Sequence, residues 1–173
     1  MLDASRIGFS GHSMGAMSTL VVAGQQNERI GQRFAVPEIK GAFAMSPAPR
    51  GGEAKQMFSN MLMPVFHLTG THDESPLKDF EPEARLQPFE YSNNQDQYLL
   101  LLDNAVHATF SGRPIATDPF LDDHHEVIRM AAVAYWKMLL EEDSQAAAWL
   151  QQGGLAAELR NQDIFKYKSR TQE

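Results

Sequence analysis

Five residues near the start of the chain, Gly11-His12-Ser13-Met14-Gly15, constrain its fold more than any other stretch. Arg6-Ile7-Gly8-Phe9-Ser10 before them reads as a short strand. Residues 14–24 after them read as a helix, with Ala16, Ser18 and Ala23 small enough for close packing on a sheet. A Gly-x-Ser-x-Gly run between a strand and a helix is a sharp turn. It holds the serine hydroxyl clear of the backbone, beside the free N–H groups of a helix start. The expectation for Gly11 and Gly15 is that neighbouring backbone leaves neither room for a Cβ. A serine held this way is a candidate nucleophile if an acid and a histidine follow it.

Both follow. Met63-Pro64-Val65-Phe66-His67-Leu68-Thr69 is an apolar run of strand type, and it ends in the turn-forming loop Gly70-Thr71-His72-Asp73-Glu74-Ser75-Pro76. Asp73 therefore sits just past a strand. Gln97-Tyr98-Leu99-Leu100-Leu101-Leu102 reads as a second buried strand, and His107 lies on the loop after it. In an open parallel sheet the carboxyl ends of the strands share one edge, where ligands bind. Ser13, Asp73 and His107 are thus expected to converge, in the chain order serine, acid, histidine. Asp103 is the rival acid, but it lies close to His107 in the chain and is poorly placed to orient it across a site.

On three pieces, residues 3–150 resemble the C-terminal half of an α/β-hydrolase. These are Asp3-Ala4-Ser5-Arg6-Ile7-Gly8 leading into Gly11-His12-Ser13-Met14-Gly15, then Leu68-Thr69-Gly70-Thr71-His72-Asp73, then Asn104-Ala105-Val106-His107. The likeness is to the branch holding dienelactone hydrolases, bacterial platelet-activating-factor acetylhydrolase-like esterases and polyester hydrolases. It implies Ser13 as nucleophile, Asp73 as orienting acid and His107 as base, with the Met14 N–H in the oxyanion hole. The implied activity is hydrolysis of carboxylic esters through an acyl-enzyme, with no metal or organic cofactor. The same triad also serves amidases, peptidases and thioesterases, and a non-catalytic truncated hydrolase is a further alternative.

The implied fold is α/β, a partial hydrolase with a mostly parallel sheet. Its four strand candidates are residues 6–10, 40–45, 64–69 and 97–102, flanked by helices. A complete member places the nucleophile mid-sheet, so the N-terminal half of the sheet is expected to be absent. The upstream loop that donates a second oxyanion N–H would go with it. Losing one such donor costs about 10²–10³ in rate. The expected layout is a half-domain over residues 1–155 and a frayed tail over 156–173. An uncovered edge at residues 6–10 invites self-association.

The length of 173 residues fits one domain. A formal net charge of −7 disfavours nucleic acid and anionic membranes as partners. No apolar run is long enough to span a bilayer. The resemblance implies a small-molecule ester as the ligand. Absent cysteines exclude disulfides and thiol chemistry. Localisation stays open: cytoplasmic if Met1 is the native start, secreted or periplasmic if a segment precedes it.

The remaining polar residues read as structural. The loop Ser46-Pro47-Ala48-Pro49-Arg50-Gly51-Gly52 is expected to be a plain connector, and residues 110–123 a flap over the site. Asp118, Asp122 or Asp123 is expected to cap a helix over 124–141, and Ser144 a helix over 144–152 that Gly153-Gly154 stops. Adjacent His124 and His125 point in different directions, which argues against a metal pair and for solvent exposure at the helix start. His12 reads as packing, His72 as a loop residue, and His67 as a hydrogen-bonded core histidine.

Overall fold

The computed structural model describes residues 3–170. Five strands form one sheet in sequential order: β1 (Gly8–His12), β2 (Gly41–Met45), β3 (Val65–His72), β4 (Gln97–Val106) and β5 (Ile164–Lys168). The first four pair in parallel and β5 runs antiparallel to β4, so the chain is of the α/β class with a mixed sheet. Six α-helices are described: α1 (Met14–Val22), α2 (Ala54–Phe58), α3 (Gln87–Tyr91), α4 (Leu121–Leu140), α5 (Ser144–Gln151) and α6 (Gly154–Ala157). No helix is long and apolar enough to cross a membrane among the described residues.

The alternation of side chains along each strand divides the core between two faces. Ala42, Ala44 and Val65 turn toward α1 and α2, where Ala16, Leu20, Met57 and Phe58 meet them. The opposite face carries an aromatic row in register across the sheet. Phe43 lies beside Phe66, Phe66 beside Tyr98, and Tyr98 beside Tyr167, with neighbouring ring centres 4.8, 5.8 and 5.0 Å apart. Tyr135 of α4 caps the row edge-on, 5.4 Å from Phe66 and 5.5 Å from Tyr98. Each such pair adds about 0.5–1.5 kcal/mol beyond the area it buries.

The paired glycines Gly8 and Gly41 set how closely α4 lies on the sheet. A Cβ on Gly8 would fall 2.2 Å from the Trp136 ring, and one on Gly41 would fall 2.3 Å from Leu139. At the other side of β1 there is no strand partner among the described residues. Ile7 and Phe9 are exposed there.

The tail expected to fray is built into the fold. Residues 154–157 form α6 and 164–168 form β5, in which Phe165 and Tyr167 pack on the aromatic face while Lys168 Nζ bonds the carbonyls of Phe89 and Glu90. Residues 171–173 lie outside the described residues. Helix starts also differ from expectation. Asp143, not Ser144, caps α5, accepting from the N–H groups of Gln145 and Ala146. α4 begins at Leu121 after Phe120, whose own side chain makes no cap, while Asp118 Oδ1 accepts from the Phe120 N–H at 2.9 Å; Asp122 and Asp123 lie in the first turn, where negative charge suits the helix dipole. Gly153 adopts the left-handed conformation after α5, and the chain then resumes as α6.

His67 is fully buried on β3, its Nε2 2.8 Å from Gln97 Oε1, as expected of a hydrogen-bonded core histidine. Desolvation lowers its pKa from 6.5 to about 4, and the nearby Lys168 charge adds to the shift. The folded chain thus resists a proton that the unfolded chain takes up. Stability conferred by neutral His67 is complete above about pH 6.5 and is lost as the pH falls toward 4. The expected loss is about 3 kcal/mol across that window. Urea unfolding of the wild type and His67→Gln at pH 7 and pH 4.5 tests this; equal acid losses in both proteins would refute it.

Candidate active site

Ser13 sits where β1 becomes α1, and its backbone is strained to do so. Its φ of 59° and ψ of −115° lie outside the regions a side chain normally allows. Such a residue costs about 1–3 kcal/mol and persists only where its neighbours hold it. Here both flanks hold it: Ser13 N–H donates to Met45 O at 2.9 Å, extending the β1–β2 ladder, and Ser13 O accepts from Met17 N–H at 3.1 Å, opening the helix. A Cβ on Gly11 would fall 2.4 Å from the Gly15 backbone, so Gly11 is required by close approach as expected. Gly15 is not: its Cβ would meet open space. Met14 is the first residue of α1, so its N–H has no acceptor within the helix.

The parallel strands bring the two other residues to Ser13. Asp73 follows β3 and is fully buried; His107 follows β4 and opens a 3-10 turn, His107–Ser111. His107 Nε2 lies 2.9 Å from Ser13 Oγ, and His107 Nδ1 lies 2.7 Å from Asp73 Oδ1. A carboxylate only accepts, so Nδ1 carries the proton and Nε2 is the acceptor facing the serine hydroxyl. The other carboxylate oxygen, Oδ2, accepts from Thr69 Oγ1 at 2.9 Å. Asp103 has no place in this chain of bonds; it accepts weakly from Thr71 Oγ1, and its N–H donates to Asp163. His72 is exposed at the end of β3.

Arg85 is the residue that sequence reasoning missed. It lies in a 3-10 turn, Pro82–Leu86, and only 1% of its surface is exposed. Its Nε lies 2.7 Å from the Asp73 carbonyl and 3.1 Å from Asp73 Oδ1. Nη1 donates to Ser46 O and Pro47 O, and Nη2 to Glu74 O. Nη2 is also 3.3 Å from His107 Nδ1; with that nitrogen's proton given to Asp73, the two are neighbours rather than donor and acceptor.

A second polar cluster holds the His107 turn from behind. Thr109 Oγ1 accepts from Val106 N–H and donates to Asp118 Oδ2, which also meets His124 Nδ1 at 2.8 Å. His125 Nε2 donates to Thr109 O. The expected exposure of the histidine pair is therefore wrong for His124, which is fully buried, because the first turn of α4 packs on this loop. His12 donates from Nε2 to His107 O at 3.0 Å. Burial, and then the nearby His107, hold its pKa below the usual value, which keeps it a neutral donor. No group of three or more His, Asp or Glu suited to a metal ion occurs among the described residues.

A cavity of about 210 Å³ opens beside Ser13. Ala48 and Arg50 line it, so the loop after β2 borders the site and is not a plain connector. Residues 110–123 do not line it; Thr109, Phe110 and Asp118 are buried, and the segment supports the His107 turn instead of covering Ser13. A larger hollow of about 580 Å³ between α4 and α5 is lined by none of Ser13, Asp73 and His107.

Compared with models of known protein families the chain matches none. No curated protein matches it either.

Three outcomes follow from this geometry. Arg85→Met removes the cation paired with buried Asp73 and the donor to four carbonyls, and is expected to destabilise the chain by about 3–5 kcal/mol. A near-wild-type urea midpoint would contradict the part assigned to Arg85. Gly15→Ala is expected to be neutral or to stabilise by about 0.5–1 kcal/mol, since it sits in a helix with space around it. Gly11→Ala should instead cost about 1–3 kcal/mol through backbone overlap. Similar melting temperatures for the two variants would count against the turn as described.

Proposed function

We propose that this chain is a serine hydrolase of the α/β-hydrolase type that acts on carboxylic esters through an acyl-enzyme. The observation that carries the reading is the unbroken line of bonds from Ser13 Oγ through His107 to buried Asp73. A serine at a strained strand-to-helix turn supports it further.

In this mechanism Ser13 Oγ attacks the ester carbonyl carbon as its proton passes to His107 Nε2. Asp73 accepts from His107 Nδ1, holding the productive tautomer and stabilising the imidazolium. The Met14 N–H donates to the oxyanion of the tetrahedral intermediate. Collapse of that intermediate breaks the bond to the alcohol, which leaves with the proton from His107. Water then attacks the acyl group on Ser13 by the same route, with His107 again taking and returning a proton. The groups needed are a nucleophile, a base, an orienting acid and a backbone donor, so the reading requires no metal or organic cofactor. Each such backbone donor contributes about 10²–10³ in rate, so turnover is expected to be slow where Met14 N–H, the donor identified among the described residues, acts alone.

A fluorophosphonate probe tests the assignment directly. The wild type should be labelled at Ser13, Ser13→Ala should not be labelled, and His107→Asn should be labelled at least about 10³-fold more slowly. An unlabelled wild type, or a label mapped by mass spectrometry to another residue, would overturn the reading.

A further inference from the structure

The cavity beside Ser13 has an apolar lining and two arginines in its wall. Met14 and Leu77 form its exposed rim, while Met17, Ala48, Pro76 and Phe80 complete the apolar surface. Arg50 and Arg85 also reach it, and a wall holding two cations would ordinarily attract an anion. Both cations are paired with carboxylates. Arg85 is spent on Asp73 and on the carbonyls of Ser46, Pro47, Asp73 and Glu74. Arg50, on the loop after β2, reaches across to Asp79, on the loop after β3, in a two-pronged pair: Nε to Oδ2 at 2.7 Å and Nη2 to Oδ1 at 2.8 Å. The Phe80 ring lies close to both guanidiniums, 5.2 Å from that of Arg50 and 5.0 Å from that of Arg85.

The polar atoms around the pair are also committed. Ser75 Oγ donates to Asp79 and accepts from Arg50 Nη2 and Leu77 N–H. The hydrogen bonds from Arg50, and then from Ser75, hold the Asp79 carboxyl below the usual range, so the pair stays ionised and closed at neutral pH. An exposed pair of this kind contributes little to stability, which leaves its position beside the cavity unexplained by the fold.

We infer that the Arg50–Asp79 pair is a specificity clasp: it ties the loop after β2 to the loop after β3 beside the cavity and cancels the Arg50 charge in its wall, so that the cavity takes one uncharged, apolar substituent of the ester and turns away an anionic one. An apolar cavity of about 150 Å³ holds a benzene ring, so one of about 210 Å³ suits a single ring or a short alkyl chain. An anion entering it would lose its hydration and meet guanidinium charges that carboxylates already balance. Met14 and Met17 add flexible, polarizable side chains that adapt to the shape of the occupant. This inference rests on Ser13 being the reacting group, and it adds which esters reach it.

Ligand binding to the Ser13→Ala chain tests the clasp without requiring turnover. Benzyl alcohol and benzoate, matched in size and differing in charge, are titrated at pH 7 while the amide resonances of Met17, Ala48, Leu77 and Phe80 are followed by NMR. Benzyl alcohol is expected to shift these amides saturably, and benzoate to bind about tenfold more weakly. Adding Asp79→Asn frees the Arg50 charge and should tighten benzoate about tenfold. Adding Arg50→Met to that variant should abolish the gain. The clasp is overturned if benzoate binds as tightly as benzyl alcohol, if Asp79→Asn leaves their ratio unchanged, or if the shifts map elsewhere. Because the titrated chain lacks the Ser13 hydroxyl, an unlabelled wild type would leave this result standing, and a flat titration would leave the labelling result standing.

Discussion

Arg85 lies on a short turn far from Ser13 in the chain, yet three segments of the active edge meet at its guanidinium. It bonds carbonyls at the end of β2 and after β3, pairs with Asp73, and abuts His107 after β4. Loops that leave parallel strands expose carbonyls that the sheet no longer pairs. A planar group with five donors satisfies several of them at once, where a lysine would supply a point charge on a flexible stem. The Asp73 charge compensates its burial, so the acid that orients His107 also keeps this cation in the interior.

Around that anchor the site is held by opposing constraints. The Ser13 backbone is strained, and the strand ladder on one side and the first helical bond on the other keep it so. His107 is gripped at both ends: His12 bonds its carbonyl, and the Thr109–Asp118–His124 cluster fixes the turn that follows it. Asp163, just before β5, bonds Asp103 N–H on β4, and Arg160 lies against Phe120 at the foot of α4. The C-terminal segment thereby supports the site although it supplies no residue to the bond line through Ser13.

That segment shows where sequence reading went astray. Phe165-Lys166-Tyr167-Lys168 alternates aromatic and charged residues, the pattern of a strand with one buried face. Read as part of a charged tail, the alternation loses its meaning. It becomes legible once Tyr98 offers Tyr167 a stacking partner, and that partner lies on a strand some seventy residues earlier. The histidine pair misled for a related reason. A helix start is commonly exposed, and nothing local indicates that Thr109 and Asp118 fold over His124.

The sequence by itself determined the strand–turn–helix around Ser13, the parallel strands leading to Asp73 and His107, and the order of those three residues. These are local patterns of hydrophobic period and turn chemistry, and they persist wherever such segments pack. Tertiary structure alone decided which groups surround them. Arg85 in an acidic stretch, Asp118 in a loop, and the reach of Arg50 to Asp79 carry no periodic signal, because a polar side chain takes its partner from whatever the fold brings within hydrogen-bond distance. Burial makes that choice binding: a buried charge or donor must be paired, and only the completed fold says with what.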